Sequence, residues 1–251
     1  MATDLETRHR IEQEYHDAKA KEVADDFYGF GALRSADEFL WRSLGDLTGK
    51  AVLEIGCGVG ITSARFAQAG ATVTAIDISG EMVEVTRRRA DAEGLAANVK
   101  AVKMSGEDIV FPPGSFDVIY GHSILHHLNL DVATPKIVRV LKPGGVAAFL
   151  EPLDYNPILN AFRMLTPHRR TPTEQPLRFG QLKSMAAQFA RWRHREFYVF
   201  SLVAFAWYYG IKSKSLFQAT MKILSPIDEW VVNAVPYLGR LAWVTVVRFE
   251  K

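Results

Sequence analysis

The sequence predicts an α/β domain on a doubly wound, mostly parallel seven-stranded sheet whose last strand is antiparallel. Three observations lead there. Between residues 51 and 151, short apolar segments rich in β-branched residues alternate with amphipathic helical segments, the pattern of a parallel sheet covered on both faces. The first strand runs straight into a turn carrying Gly56, Gly58 and Gly60. Two further strand-like segments, 196–200 and 243–250, are split by a long stretch where a connection of a few residues is usual.

The elements follow in order. Residues 5–28 read as a polar, charge-rich helix with Tyr15, Val23 and Phe27 as its apolar contacts. A short helix over 36–44 stops at Gly45, so residues 1–45 form an N-terminal helical cap. AVLEI at 51–55 is the first strand, and 59–69 is a helix with Gly70 as its C-cap. ATVTAID at 71–77 is the second strand, 80–93 a charged amphipathic helix, and 98–104 the third strand. The PPGS turn at 112–115 leads into an apolar fourth strand, 116–120, as a strand buried on both faces requires. A helix over 131–141 ends at KPGG, and 146–151 is the fifth strand. A helix is expected over 177–190, a sixth strand at 196–200 and the last at 243–250. The cofactor-binding core then covers 46–200 and 242–251. Residues 201–241 are a helical, aromatic-rich insertion before the final strand.

Composition narrows the function classes. Of 251 residues, 48% are apolar and 23% charged, enough to bury a full core and unlike a disordered chain. The net charge of +2 is too near neutral to mark a nucleic-acid binder. Cys57 is the only cysteine, so no intramolecular disulfide forms. The polar N-terminus lacks a secretory apolar core, and a cytoplasmic location is expected. The aromatic run 197–211 falls short of the ~20 residues a spanning helix needs, which leaves peripheral membrane contact as its membrane role.

The residues 52–60, Val-Leu-Glu-Ile-Gly-Cys-Gly-Val-Gly, set three glycines at a strand-to-helix turn. Glycine opens backbone conformations closed to other residues and lets a ligand approach the main chain, while the next helix presents free N–H groups. Ile61 stands where the dinucleotide fingerprint wants its third glycine, so that form is not met. Asp77 ends the second strand, where a carboxylate can accept from both hydroxyls of a ribose.

The segment from Glu54 to Gly60 has the form E-x-G-x-G-x-G and resembles motif I of class I, Rossmann-like S-adenosylmethionine-dependent methyltransferases. Three later segments are similar to the same family. Ser105-Gly106-Glu107-Asp108 ahead of 111–117 resembles its adenine-binding turn and fourth strand. Residues 123–128, SILHHL, resemble the segment after that strand, and 141–145, LKPGG, the turn before the fifth. The resemblance covers 51–151. It implies a small-molecule methyltransferase with S-adenosyl-L-methionine as cofactor and S-adenosyl-L-homocysteine as product. It places Glu54 near the methionine end, with Gly56, Gly58 and Gly60 beneath. Asp77, with Ile78 beside it, falls at the ribose, and Ser105, Gly106 and Glu107 at the adenine. His122 falls beside the sulfonium. The family often has an acid where Ser105 stands; Glu107 or Asp108 is available for that role.

The acceptor side is less constrained. Glu151 ends the fifth strand, where open α/β sheets bind ligands, and is a candidate proton acceptor. Its bland alternative is a helix cap or an ion pair. His126 and His127 are adjacent and should diverge on a helix, one packing and one facing the cleft. His127 is the second catalytic candidate and His126 a substrate contact. That spacing suits no shared metal, which wants i and i+4, so no metal is expected. Tyr155 and Tyr15 are further acceptor contacts. Arg169, in the Pro- and Arg-bearing stretch 166–172, suits an anionic group, or is simply a solvated loop.

The expected reaction is methyl transfer to a small, largely hydrophobic acceptor: lipid-like, a quinone or phenol, or a prenylated natural-product intermediate, at oxygen or carbon. Residues 11–30 and 155–235 would choose it. The alternatives are a phosphorylated isoprenoid acceptor, or a non-catalytic cofactor-binding protein. A nucleic-acid substrate is set aside, because Gly121-His122-Ser123 stands where an Asn/Asp-Pro-Pro-Tyr/Phe segment would follow the fourth strand. The oligomeric state is left open.

Overall fold

The computed structural model describes residues 4–21, 33–167 and 170–251. Seven strands form one sheet: β1 (Ala51–Ile55), β2 (Thr72–Asp77), β3 (Val99–Lys103), β4 (Phe116–His122), β5 (Leu141–Pro152), β6 (Arg191–Phe197) and β7 (Val244–Glu250). Their order is β3-β2-β1-β4-β5-β7-β6. The first five run parallel, and β7 pairs antiparallel with both β5 and β6. The expected sheet is present.

Alternation along the strands divides the core into two layers. Val52, Val73, Val118 and Leu150 face one side, against α2 (Arg34–Ser43), α3 (Ile61–Gln68) and α4 (Gly80–Ala92). Leu53, Ile76, Ile119 and Phe149 face the other, against α5 (Leu130–Val140) and α7 (Phe179–Ala186). The order reverses between β1 and β4. In an open α/β sheet, that crevice at the carboxyl ends of the strands receives the ligand.

Several boundaries differ from the sequence reading, among them the fifth strand, which starts at Leu141 and not at residue 146. The N-terminal helix, α1, is described over Leu5–Lys21, and the expected contacts Val23 and Phe27 lie outside the described residues. The helix expected over 177–190 closes at Ala186. The sixth strand is RWRHREF at 191–197, not EFYVF at 196–200. Tyr198 takes a left-handed φ of 68° and breaks any strand there. Its buried hydroxyl instead accepts the Ala36 amide at 3.2 Å. Pairing with β7 makes β6 the sheet's edge, and exposed Arg191 and Arg193 on it discourage further strand addition.

After β6 the chain is helical: a 3-10 turn at Ser201–Val203, α8 (Ala204–Gly210), α9 (Lys214–Ala234) and a second 3-10 turn at Pro236–Leu241. Its interior is Phe205, Phe217 and Ala204, with Trp243 and Met221 packed beside them. Register fixes where it stands. Val244 pairs with both Phe197 and Pro152, so residues 198–243 leave and rejoin the sheet at the edge where β5 ends. Helix α6 (Pro157–Leu165) starts from that edge too, and its N-cap Asn156 donates to the Leu241 carbonyl at 2.6 Å.

Candidate active site

The site is built where β1, β2, β3 and β4 end. β1 delivers Glu54, which is 3% exposed, and one of its oxygens accepts the Ser63 hydroxyl of α3. The chain then turns through Gly56, Gly58 and Gly60, with φ of 75°, 51° and 76°, a region that L side chains avoid. A Cβ on Gly58 would meet nothing within 4 Å, so this loop's main chain faces open space. A Cβ on Gly60 would lie 2.9 Å from the Thr86 backbone, so α4 packs against the loop only because glycine is there.

β2 delivers Asp77. Its Oδ2 accepts the Gly58 amide at 3.0 Å, and its Oδ1 accepts the Ser79 amide at 2.9 Å. Each oxygen keeps a further lone pair. Ile78 is half-buried between Asp77 and Ser79. Burial pushes the Glu54 pKa up to about 8 and raises that of Asp77. Two carboxyls held off from water beside an open glycine loop suit a ligand that brings positive charge and hydroxyl donors. These residues therefore fit S-adenosylmethionine.

Beyond β3, the Ser105 hydroxyl accepts the Glu107 amide at 3.1 Å and lies 3.2 Å from His9 Nε2. Glu107 is 1% exposed and bonds to His9 and to the Asn129 amide. A Cβ on Gly106 would strike Leu128 at 2.9 Å. His122 ends β4, half-buried, with its pKa lowered by burial.

The acceptor-side residues depart from the reading. Glu151 is fully buried. Its Oε1 accepts the amides of Ile124 and Leu125 at 2.9 and 2.8 Å, and its Oε2 takes His126 Nδ1 at 2.7 Å. Both oxygens are committed, so Glu151 anchors the segment after β4 and is not placed to take an acceptor's proton. His126 and His127 do not diverge. They share a 3-10 turn, Leu125–His127, with ring centroids 4.2 Å apart, because Glu151 draws His126 inward. His127 Nδ1 faces Glu12 Oε2 at 3.0 Å. Burial works against charge on His127, but Glu12 outweighs it and raises the pKa, a poor setting for a base. Tyr155 stacks on Phe179, 5.7 Å between centroids, and its hydroxyl accepts the Phe179 amide at 2.8 Å. It fastens α6 to α7. Tyr15 lies half-buried on α1 with its ring edge against His16. Arg169 lies outside the described residues.

The residues that sequence reasoning missed are on α1. Arg8 donates to the His127 carbonyl at 2.6 Å, His9 reaches Ser105 and Glu107, and Asp17 accepts from the Ser79 hydroxyl. Glu12 is buried and accepts hydroxyls from Thr171 and Thr173. The helix therefore lies across the ends of β2, β3 and β4. Its sequence reads as a solvated helix, and Glu12 with His16 at i and i+4 was the one available signal.

Fold and strand-end site define a Rossmann-like α/β domain with its ligand crevice at the strand-order reversal. Residues 52–145 match the family described as a methyltransferase domain. The chain is 34% identical to a ubiquinone/menaquinone biosynthesis C-methyltransferase of Shewanella pealeana over 142 residues, 55% of this chain and 57% of that protein. It is 32% identical to a sterol 24-C-methyltransferase of Aspergillus fumigatus over 124 residues, 49% of this chain and 33% of that one. The chain thus spans about half the length of the curated relatives it matches. The fold also resembles a geranyl diphosphate C-methyltransferase of Streptomyces coelicolor, solved with magnesium, geranyl diphosphate and S-adenosylhomocysteine. The TM-score is 0.67 at 16% identity, over 99% of this chain and 98% of that one.

Proposed function

We propose that this protein transfers a methyl group from S-adenosylmethionine to a small, largely hydrophobic acceptor, at carbon or oxygen. The observation that carries the reading is the set formed by Glu54, the open Gly56–Gly60 loop and Asp77 at the strand-order reversal. When bound, S-adenosylmethionine supplies an already activated methyl group. The protein's work is then alignment and exclusion of water. Glu54 takes the cationic amino end, Asp77 the ribose hydroxyls, and Ser105, Gly106 and Glu107 the adenine edge. His122 lines the cleft as a neutral imidazole. Helix α1 covers the cofactor side.

The acceptor is received on the other side, under residues 201–241 and α6. This part of the edge is apolar, with Phe162, Leu165, Trp230 and Tyr237 exposed. An apolar rim suits a lipid-like, quinone-like or prenylated acceptor, collected at a membrane surface by a cytoplasmic protein. Among the described residues no helix is long and apolar enough to cross a membrane. The relatives support the acceptor class by their names, one quinone C-methyltransferase and one sterol C-methyltransferase.

The test has two steps. Native mass spectrometry should find one S-adenosylmethionine per chain. Label from a methyl-tritiated donor should then enter a prenylated quinol, a sterol or an isoprenoid diphosphate, and not a nucleic acid. Binding without transfer to any of these classes would overturn the acceptor assignment. Absence of binding would overturn the cofactor assignment as well.

A further inference from the structure

Glu12 and His16 stand four residues apart on α1, so they leave one face of the helix. That face meets the 3-10 turn carrying His127. Glu12 Oε2 lies 3.0 Å from His127 Nδ1 and 3.6 Å from His16 Nε2. One ligand atom from each residue falls within 4.8 Å of the other two. Two ligands about 2.1 Å from one ion, a tetrahedral angle apart, lie about 3.4 Å from each other.

The surroundings point to a ligand. Glu12 is 4% exposed. Its Oε1 accepts the Thr171 hydroxyl at 2.8 Å and the Thr173 hydroxyl, which turns Oε2 toward the two rings. Outer partners hold metal-binding carboxylates in this way. Glu12 Oε2 and His127 Nδ1 are both buried and face each other at 3.0 Å as an ion pair, yet neither completes a hydrogen bond of regular geometry. Buried polar atoms held without regular hydrogen bonds are under-satisfied even when paired by charge. A cation between them would satisfy both.

We propose that Glu12, His16 and His127 bind one divalent transition-metal ion of the zinc class. Two imidazole nitrogens and one carboxylate oxygen suit zinc and its neighbours. Magnesium, which prefers an all-oxygen shell, is disfavoured. The ion ties α1 to the turn after β4, next to the contacts of His9 with Ser105 and Glu107. This replaces the expectation of no metal. The adjacent histidines are not the chelate; α1 supplies the i and i+4 pair, while His126 is committed to Glu151. The inference is independent of methyl transfer.

Zinc alone, titrated into the metal-stripped full chain against a chromophoric chelator, tests it. The expected result is one tightly held equivalent that raises the melting temperature, with no effect of magnesium. His16→Ala and Glu12→Gln should each weaken zinc binding at least tenfold and cancel the thermal shift. His194→Ala, on β6, should leave both unchanged. The His16 side chain is 30% exposed, so its removal is tolerated by the fold and decides the matter if Glu12→Gln does not fold. No zinc held at micromolar concentration, or zinc held equally well by His16→Ala, overturns the proposal.

Discussion

Glu54 and Asp77 are two acids with different tasks. Burial raises both, and Glu54 reaches about 8. Between the ordinary carboxyl range and about pH 8 the folded state therefore holds a proton at Glu54 that the unfolded chain has lost. Its contribution to stability falls as pH rises through that window. A cationic ligand reverses the preference, since the carboxylate must shed that proton to pair with it. Affinity for S-adenosylmethionine should thus increase from pH 6 toward about pH 8, by about tenfold per unit at the acid end. Glu54→Gln should flatten the profile. Calorimetry across that range is the check, and a flat profile in the parent protein would refute the pairing. At Asp77, Asp77→Asn keeps the shape and removes the charge. Charge-assisted bonds contribute about 1.5–3 kcal/mol, so affinity should fall roughly tenfold to hundredfold. An unchanged dissociation constant in the folded variant would remove Asp77 from the site.

Among the elements, α9 depends on one buried acid. Asp228 accepts the amides of Val199, Phe200 and Ser201 at 3.1, 2.6 and 3.1 Å, and the Ser201 hydroxyl. It holds the exit from β6 against α9 and is 4% exposed. Asp228→Ala should cost about 2–3 kcal/mol, because the charged acceptor is lost and several donors are left unpaired. Urea denaturation reads the cost. Proteolytic cuts in the native variant should concentrate between residues 198 and 243. An unshifted midpoint would mean that the amides find other acceptors. Glu151 does similar work after β4, where its two oxygens fix the turn carrying His126 and His127.

For the molecule as a whole, the consequential feature is that residues 198–243 rise from the ligand edge of the sheet. Their interior is a small aromatic cluster, and Trp230 and Tyr237 remain 70% and 71% exposed. An addition at the carboxyl ends of the strands stands where open α/β sheets bind ligands. Replacing residues 201–241 with a short turn should leave S-adenosylmethionine affinity within about threefold, well inside a 1.4 kcal/mol change, and abolish methyl transfer. Transfer to the native acceptor at the original rate by the shortened, folded protein would reduce the insertion to plain packing.

The sequence by itself determined the sheet, its parallel core and its antiparallel end, and the positions of the glycine loop and Asp77. These are local: a strand, a turn needing positive φ and an acid at a strand end are written in consecutive residues. Tertiary structure decided the rest. EFYVF has strong strand propensity, but pairing with β7 made RWRHREF the strand and turned Tyr198 inward to meet Ala36. Glu151 ends a strand where the sequence suggests a proton acceptor, and only the folded turn shows that both its oxygens are already bonded. The polar residues of α1 read as solvated, since nothing local says that Glu12 meets His127, Thr171 and Thr173 from far along the chain. Periodicity and turn chemistry act over a few residues. The partner of a buried charge is set by which distant segments the sheet brings together.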